Sequence, residues 1–314
     1  MKTELVNFNK IHSAVLSLTI GFLIASCSTS SDPVTTNVSN SVATESAEDS
    51  YNNDTEDLAS AASSQSDIQL GARTDGARTW ADDRVCSSTV ITIAKKVNTN
   101  PDTLTIDFGT AGCTDAKGNV RKGKIIVIYS PGDGRWKVGG GYTVTTSNFS
   151  INGVTVEGTR TVKNVSPNLD GDITWEVTLA GGKLTFPDGT TATREAHHFR
   201  QWFRNGTPLI LTDDEQRILA SFSGTNVSTS TATGTNRDGY TYTMQVTKDI
   251  SYKVTCLLAK IFVATSGTKT YNITKGTETA NITVDYGDGT CDKTITVTVN
   301  GKSKTETVKR DDNG

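Results

Sequence analysis

The chain has 314 residues, a formal net charge of -3 and a hydrophobic fraction of 34%. This charge excludes the long-range attraction to nucleic acid that a strongly basic protein exerts, and the sequence has no basic stripe with interleaved aromatic residues. Threonine, glycine, asparagine and valine recur throughout, and this mixture favours pleated strands and tight turns over helices. The composition therefore predicts an all-β protein that does not bind nucleic acid.

The N-terminus has the features of an export signal. Two lysines precede an apolar run over residues 11–25, which is too short to span a bilayer comfortably. The run continues into Leu-Ile-Ala-Ser-Cys at residues 23–27, which resembles the lipobox of bacterial lipoproteins. The resemblance implies that residues 1–26 are removed as a signal peptide and that the thiol of Cys27 receives lipid. An ordinary secretory signal with an incidental cysteine is the alternative.

The residue after Cys27 bears on the destination of the protein. An aspartate directly after the cysteine would resemble the inner-membrane retention signal of some Gram-negative bacteria, but this chain has Ser28 at that position. We therefore expect the outer membrane, with the domain facing either the periplasm or the cell surface. The lipid on Cys27 is the expected contact with the membrane, and buried acyl chains hold such an anchor in place.

Residues 27–80 are predicted to form a disordered polar tether. From Ser28 to about Thr79 the chain is rich in Ser, Thr, Asn, Ala and acidic residues, with Tyr51 as its aromatic residue. Such a segment buries too little apolar area to offset the entropy of ordering it. As a flexible coil it would hold the domain about 40 Å from the membrane on average. Its acidic residues could instead form an export signal or a partner-binding patch.

The domain predicted over residues 81–314 contains an internal repeat. Residues 103–109 read Thr-Leu-Thr-Ile-Asp-Phe-Gly and residues 281–287 read Asn-Ile-Thr-Val-Asp-Tyr-Gly, each followed four residues later by a cysteine. Both copies look like a half-buried strand that runs into a tight turn. We interpret this as duplication of one supersecondary unit, with repeat-bearing halves at about 84–165 and 170–310.

The five cysteines fit one lipid anchor and two disulfides. Each repeat copy has an upstream partner for its own cysteine, Cys86 for Cys113 and Cys256 for Cys291, while Cys27 is left for the lipid. Three pairings are possible among four cysteines, and the local ones match the repeat best. Disulfides are typical of an oxidising compartment outside the cytoplasm. A metal site built from these thiols would need closer spacing or nearby histidines.

Turn signals and strand patterns predict the architecture. Five dipeptides interrupt β-prone runs and suit type I′ hairpin turns: Asn152-Gly153, Asp188-Gly189, Asn205-Gly206, Asp238-Gly239 and Asn300-Gly301. In the run 124–129, Lys124 is followed by five consecutive apolar or aromatic residues, which predicts a central strand covered on both faces. Residues 212–219 could form a short helix or a loop that leads into a strand. The expected fold is a large antiparallel sandwich or a strongly curved sheet built of hairpins.

Candidate catalytic and metal-binding residues are few. His197 and His198 are the histidines that remain after cleavage, and they would point to opposite faces of a strand, one of them together with Glu195. A hydrolase that uses His197 or carboxylates is therefore an alternative function. A calcium loop around Asn168 and Asp170 lacks the remaining ligands of an EF-hand. We expect no metal and no cofactor.

Aromatic residues suggest a possible ligand site. Trp136 lies in a glycine-rich loop between two cationic residues, and Tyr142 follows it closely. If both were exposed on one face, they could stack on sugar rings, whereas packing into the core is the structural alternative.

Taken together, the lipobox, the polar spacer and the Thr/Gly-rich β domain with its repeated D-[FY]-G-x-x-x-C element resemble uncharacterised lipoproteins of Gram-negative bacteria. The resemblance implies a location in the envelope and carries over no reaction. The leading hypothesis is a non-enzymatic binding or structural module with a glycan or protein ligand. The alternatives are the hydrolase and a periplasmic carrier that shields a lipid or another amphiphile in a groove.

Overall fold

The computed structural model describes residues 48, 50–63, 76–78, 82–94, 102–130, 137–166, 172–202, 215–218, 220–223, 226–253, 255–256, 261 and 263–308. Strands account for most of these residues, and the predicted all-β fold is confirmed. Sixteen strands belong to one antiparallel sheet that does not close on itself, and two others pair separately. The described residues all belong to one compact unit.

Eighteen strands follow one another along the described chain. Their bounds are β1 (Gly76–Arg78), β2 (Val90–Ala94), β3 (Thr103–Asp107), β4 (Cys113–Thr114), β5 (Val120–Tyr129), β6 (Gly141–Ile151), β7 (Val154–Asn164), β8 (Ile173–Thr185), β9 (Thr191–Trp202), β10 (Glu215–Ile218), β11 (Ala220–Ser223), β12 (Asn226–Thr229), β13 (Thr231–Thr235), β14 (Thr241–Tyr252), β15 (Ser266–Lys275), β16 (Glu278–Asp288), β17 (Thr294–Val299) and β18 (Lys302–Thr307).

The large sheet is mostly a meander, because strands that are neighbours in the sequence usually pair with each other. Its order is β1-β2-β3-β5-β6-β7-β8-β9-β10-β14-β15-β16-β17-β18, with β4 beside β5 and β13 between β9 and β14. Strands β11 and β12 form the separate hairpin. Such connections need only short loops, which agrees with the hairpins predicted from the turn dipeptides.

One face of the sheet is buried and the other faces outward. In β2, β5 and β14 buried and exposed residues alternate along the strand, as the two-residue period of a half-buried strand requires. The buried side chains form two clusters. The first runs from β2 to β9, and the second runs from β13 to β17. The division between the clusters lies after Ala192, later in the chain than the boundary near residue 165 expected from the repeat.

The two repeat copies lie at opposite ends of the sheet. Strand β3 is third from one end and β16 is third from the other. In both copies the aspartate accepts a hydrogen bond from the glycine two residues on, at 2.9 Å for Asp107 with Gly109 and for Asp285 with Gly287. Both glycines have positive φ values, 77° and 95°, which side chains with a Cβ rarely adopt. The repeated sequence thus produces the same strand and turn twice.

Each repeat copy carries its predicted disulfide. Cys86 pairs with Cys113 across a Cα–Cα distance of 6.1 Å, and Cys256 pairs with Cys291 across 5.3 Å. Both distances lie in the ordinary range for disulfides. The prediction of two local pairs is confirmed.

A helix, α1, lies within the segment that was predicted to be a disordered tether. It comprises residue 48 and residues 50–63. Leu58, Ala59 and Ala62 join the first hydrophobic cluster, and most polar residues of the helix are buried as well. The tether prediction is therefore wrong for these residues. Composition alone missed the helix because its acidic side chains have partners far away in the sequence.

Two further sequence predictions can be compared with the structure. Strand β5 is central, but its faces are not equally covered: Ile125 and Val127 on the inner face are buried, whereas Ile126 and Ile128 on the outer face are only partly buried. In the region 212–219, residues 215–218 form strand β10, so the strand alternative was correct there. The signal peptide, Cys27, Trp136, Asn168 and Asp170 lie outside the described residues.

Of the five type I′ turn predictions, those at Asn152 and Asn300 are confirmed by backbone angles. Those at Asp188 and Asp238 are wrong, because these residues lack the positive φ that a type I′ turn requires, and Asn205-Gly206 lies outside the described residues. Asn152 and Asn300 have φ values of 52° and 46°, and the glycines that follow them have φ values of 81° and 82°. These turns connect β6 with β7 and β17 with β18.

In the part of the chain that the structure describes, no helix combines the length and the apolar character needed to cross a membrane.

Candidate functional site

The buried face of the sheet carries four arginines where a core normally holds apolar side chains. Arg121 on β5, Arg160 on β7 and Arg194 and Arg200 on β9 are each 7% exposed or less. They occupy the same strand face as core residues such as Ile125 and Val156, because they lie an even number of residues away. We call these four residues the arginine face.

Helix α1 supplies carboxylates to two of these arginines. Both terminal nitrogens of Arg121 donate to Asp54, at 2.5 and 3.0 Å, and its Nε donates to Asp115 at 3.0 Å. Arg200 forms ion pairs with Glu56 and with Asp57, the latter at 2.7 Å. Paired hydrogen bonds between a guanidinium and carboxylates are among the stronger polar contacts in proteins.

These contacts bind the helix to two strands, β5 and β9. Asp54 and Glu56 are two residues apart and so project about 200° apart around a helix with 3.6 residues per turn. Asp54 is held by β5 and Glu56 by β9, with β7 and its Arg160 between those strands in the sheet order. The sheet therefore curves around the helix rather than lying flat beneath it.

Neighbouring carboxylates position Arg121 and a further arginine, Arg84, which lies between β1 and β2. Asp115 accepts from the backbone N–H groups of Lys117 and Asn119 as well as from Arg121. Burial opposes the charge of Arg121, but Asp54 and Asp115 outweigh it and raise the pKa of the guanidinium. Arg84 binds Asp82 at 2.9 Å and lies 3.9 Å from Asp54. Burial likewise opposes the charge of Arg84, and Asp82 raises its pKa.

Arg160 lacks a comparable set of partners. It is 1% exposed, and its Nη2 donates to the side-chain oxygen of Asn52 at 2.7 Å. Its Nη1 is buried and has no hydrogen-bond partner. Burial lowers the pKa of Arg160 to about 10, with Glu56 opposing the shift, so the side chain is still charged at neutral pH. A buried cation that is held by a single neutral amide is costly for the fold.

Glu48, the first described residue of the helix, is connected to two turns of the sheet. Glu48 accepts a hydrogen bond from the backbone N–H of Arg237 at 2.8 Å. The Arg237 side chain forms an ion pair with Asp188, donates to Thr190 and lies 4.2 Å from the ring centre of Phe186. The helix thus contacts the β8–β9 turn through Arg237, which itself belongs to the β13–β14 turn.

The outer face of the second half presents rows of polar side chains, most of them neutral. Across β9, β13, β14, β15 and β16 the residues opposite one another form a row of five threonines: Thr193, Thr235, Thr241, Thr274 and Thr279. The next row consists of Glu195, Thr233, Thr243, Asn272 and Asn281, and the third of His197, Thr231, Gln245, Thr270 and Thr283. We call these three rows the outer polar face.

This face is regular and has little apolar character. Neighbouring strands lie about 4.8 Å apart, and residues on one face of a strand repeat about every 6.8 Å, so the hydroxyl and amide groups form a grid. Among the described residues the exposed large apolar side chains are Val90, Val120 and Val138, none of which lies on these strands. The face therefore offers hydrogen bonds rather than apolar contact.

The two histidines lie on opposite faces, as predicted, but the partner of His197 is a different carboxylate. His197 Nε2 lies 2.8 Å from Glu176 Oε1, whereas Glu195 accepts from the backbone N–H of Gly181 at 2.8 Å. His197 is partly exposed on the outer face. His198 lies on the inner face, 3.5 Å from Glu56.

The proposed aromatic platform is not formed by Tyr142. Its ring is 3% exposed and lies in the first hydrophobic cluster beside Tyr129, with 6.2 Å between ring centres. Tyr142 alternates with outward-facing threonines on β6 and so belongs to the core face. Trp175 is buried as well. Among the described residues no three His, Cys, Asp or Glu side chains are grouped to hold a metal ion.

Comparison with protein-family models, with curated proteins and with solved structures finds no match. The chemistry of the arginine face and of the outer polar face is therefore the basis for a function. The outer polar face had a signal in the sequence, since threonine recurs at alternate positions in β13, β14 and β15. The arginine face had a weaker signal, which is the presence of Arg121 and Arg160 in phase with the apolar positions of their strands.

Proposed function

We propose that this chain is a lipid-anchored lipoprotein of the outer membrane whose β domain is a non-enzymatic binding module, and that it binds a glycan on the outer polar face. The anchor rests on the lipobox-like sequence that ends at Cys27. The two disulfides suit a compartment outside the cytoplasm, where thiols are oxidised. The single observation that carries the ligand class is the set of three in-register rows on the outer polar face.

The chemistry of these rows favours a glycan over a protein. Each threonine hydroxyl can donate one hydrogen bond and accept two, and each asparagine or glutamine amide can do both. Glycans offer a dense array of hydroxyl groups without net charge and match such a surface. The centre of a protein–protein interface is instead enriched in aromatic and other apolar side chains, which the outer polar face lacks at its described positions.

Cosedimentation with insoluble polysaccharides and with peptidoglycan tests this proposal. The full lipidated chain is purified in detergent and compared with the triple variant Thr241→Val, Thr243→Val and Thr270→Val. Valine keeps the shape and the strand preference of threonine but removes the hydroxyl. Because each hydrogen bond contributes about 0.5–1.5 kcal/mol, we expect binding to at least one glycan to fall about tenfold or more.

The control carries the same chemical change on the first half of the sheet. Thr92 and Thr105 lie opposite each other on the outer face near the other end of the sheet, and Thr145 follows in the same row beyond Ile126, whose apolar side chain interrupts it. The control variant Thr92→Val, Thr105→Val and Thr145→Val should bind like the natural chain. Equal binding by all three proteins, or binding of no glycan by the natural chain, would contradict the proposal.

A second candidate function is a hydrolase based on His197. It is favoured by the 2.8 Å contact with Glu176, because a carboxylate that orients a histidine is a common arrangement in general base catalysis. Thr178 and Thr231 lie opposite His197 on the two neighbouring strands, so their hydroxyl groups are near its imidazole ring. Turnover of an envelope substrate that is abolished by His197→Ala and by Glu176→Gln would support this function, and unchanged turnover would remove it.

A further inference from the structure

Helix α1 is held by ionic contacts as well as by apolar packing. Leu58, Ala59 and Ala62 are its members of the hydrophobic cluster, whereas Asp54, Glu56 and Asp57 bind guanidinium groups. A helix of this length and composition is marginal by itself in water, since Asp, Asn, Ser and Thr are weak helix formers. Its helical state therefore depends on the surface that receives it.

The receiving surface is built independently of the helix. The arginine face lies on β5, β7 and β9, whose pairing partners are other strands of the sheet. Asp115 binds the Nε of Arg121 from a turn of the sheet itself, which leaves both terminal nitrogens of that arginine directed at the helix. The sheet thus presents preformed carboxylate-binding groups.

Arg160 shows that the helix is an incomplete match for this surface. Position 52 of the helix offers Arg160 an amide oxygen, and the second terminal nitrogen of that buried guanidinium is left without a partner. A carboxylate at the same position has two oxygens and a negative charge, so it could accept from both nitrogens. The helix therefore leaves unused binding capacity at the centre of the arginine face.

From these contacts we propose that the arginine face is a binding site for an acidic helical segment of a partner protein, and that α1 occupies this site as an internal competitor. The preferred ligand has an acidic residue at the place of Asn52. Charge complementarity between the arginines and the acidic residues of α1 identifies the ligand class. This site uses residues on the inner face and does not depend on glycan binding by the outer polar face.

The test uses two fluorescent peptides with capped termini. One has the sequence of residues 48–63 and the other has the same sequence with Asn52→Asp. They are titrated against the full chain carrying Asp54→Ala and Glu56→Ala, which weakens α1 and keeps every arginine. We expect the Asn52→Asp peptide to bind this variant about tenfold more tightly than the natural sequence, because it adds charge-assisted hydrogen bonds to Arg160. Addition of Arg160→Met should abolish the difference.

The natural chain should bind both peptides far more weakly than the double variant does, because α1 competes at a high effective concentration. Circular dichroism and intact disulfides establish that the double variant is folded. Failure of the folded variant to bind either peptide, or equal affinity for both, would overturn the proposal. A dimer that forms with rising concentration by exchange of α1 between copies would also overturn the proposal, because a second copy of this chain would then be the occupant. Displacement of the bound peptide by a fluorescent fatty acid would overturn it as well and would favour the periplasmic carrier of an amphiphile.

Hydrogen exchange on the natural chain gives an answer even if the double variant does not fold. A competitor must leave its site without unfolding of the sheet, so the amides of residues 50–63 should exchange at least tenfold faster than those of β5 and β7. Exchange of the helix only together with these strands would show that α1 is a permanent part of the core, and the proposal would fail.

Discussion

Replacement of Arg121 by methionine should be strongly destabilising, whereas the same replacement of Arg160 should not. Arg121 is the shared partner of two buried carboxylates, since the side chains of Asp54 and Asp115 are 6% and 0% exposed. Methionine has a similar length and removes the guanidinium, so both carboxylates lose its hydrogen bonds. Breaking a buried ion pair from one side costs about 3–5 kcal/mol because it leaves an uncompensated charge.

The matched variant, Arg160→Met, removes a guanidinium from the same face without stranding a carboxylate. Its loss leaves the oxygen of Asn52 without its donor, which costs about 1–3 kcal/mol, but it also removes a desolvated charge with an unpartnered nitrogen. These effects oppose each other. We expect the free energy of unfolding to change by no more than about 1 kcal/mol in either direction.

Urea unfolding with the disulfides intact measures both variants. A loss of stability lowers the midpoint while the dependence on urea concentration stays constant. For a domain of this size, 3–5 kcal/mol corresponds to a decrease of the melting temperature on the order of 10 °C. Equal losses for Arg121→Met and Arg160→Met would refute the reasoning, because the stranded carboxylates would then not explain the cost.

Three further outcomes are expected. Cys113→Ser opens the bridge to Cys86 and should lower the free energy of unfolding by roughly 3–4 kcal/mol in the chain-entropy description, as chemical denaturation can measure. Hydrogen bonds from Thr190 and Arg237 lower the pKa of Asp188 to about 2 from 3.8, so the stabilising effect of this carboxylate is present above pH 4 and is lost as the pH falls towards 2. Asp188→Asn should remove this part of the dependence of stability on acid pH. An unchanged profile of stability against pH would contradict this assignment. Intact mass spectrometry of the chain from membranes should show a product that begins at lipidated Cys27, and an unmodified Cys27 would exclude the anchor.

Local patterns in the sequence were sufficient for the repeat, the disulfides and the Asn-Gly turns. In the repeat, one aspartate and one glycine at fixed spacing determine the turn, and both copies adopt it. The Asn152 and Asn300 turns depend on backbone preferences of two adjacent residues. Features of this kind are encoded within a few residues, so they can be predicted without knowledge of the fold.

The helix and the arginine face could not be predicted in this way because their contacts are remote. Asp54 and Arg121 are 67 residues apart, and Glu56 and Arg200 are 144 apart. Taken alone, the acidic segment has the composition of a disordered spacer. Only the folded sheet brings the arginines together, and their position in phase with apolar residues was the one local sign of a buried role.

The prediction for residues 124–129 failed for a related reason. A run of apolar residues is typical of a strand covered by two layers. Here Ile125 and Val127 on the inner face are buried, but Ile126 and Ile128 on the outer face are only partly buried. Burial of Tyr142 follows from the same alternation, because its position on β6 assigns it to the inner face.

The docking of α1 changes the reach of the domain in the proposed lipoprotein. If residues 28–79 were all flexible, the domain would stand about 40 Å from its anchor on average. With α1 seated in the sheet, its residues no longer belong to that spacer, and the twenty residues 28–47 separate Cys27 from the first described residue of the helix. Release of the helix would return its residues to the spacer and lengthen the connection between anchor and sheet, so occupancy of the arginine face would change how far from the bilayer the domain can reach.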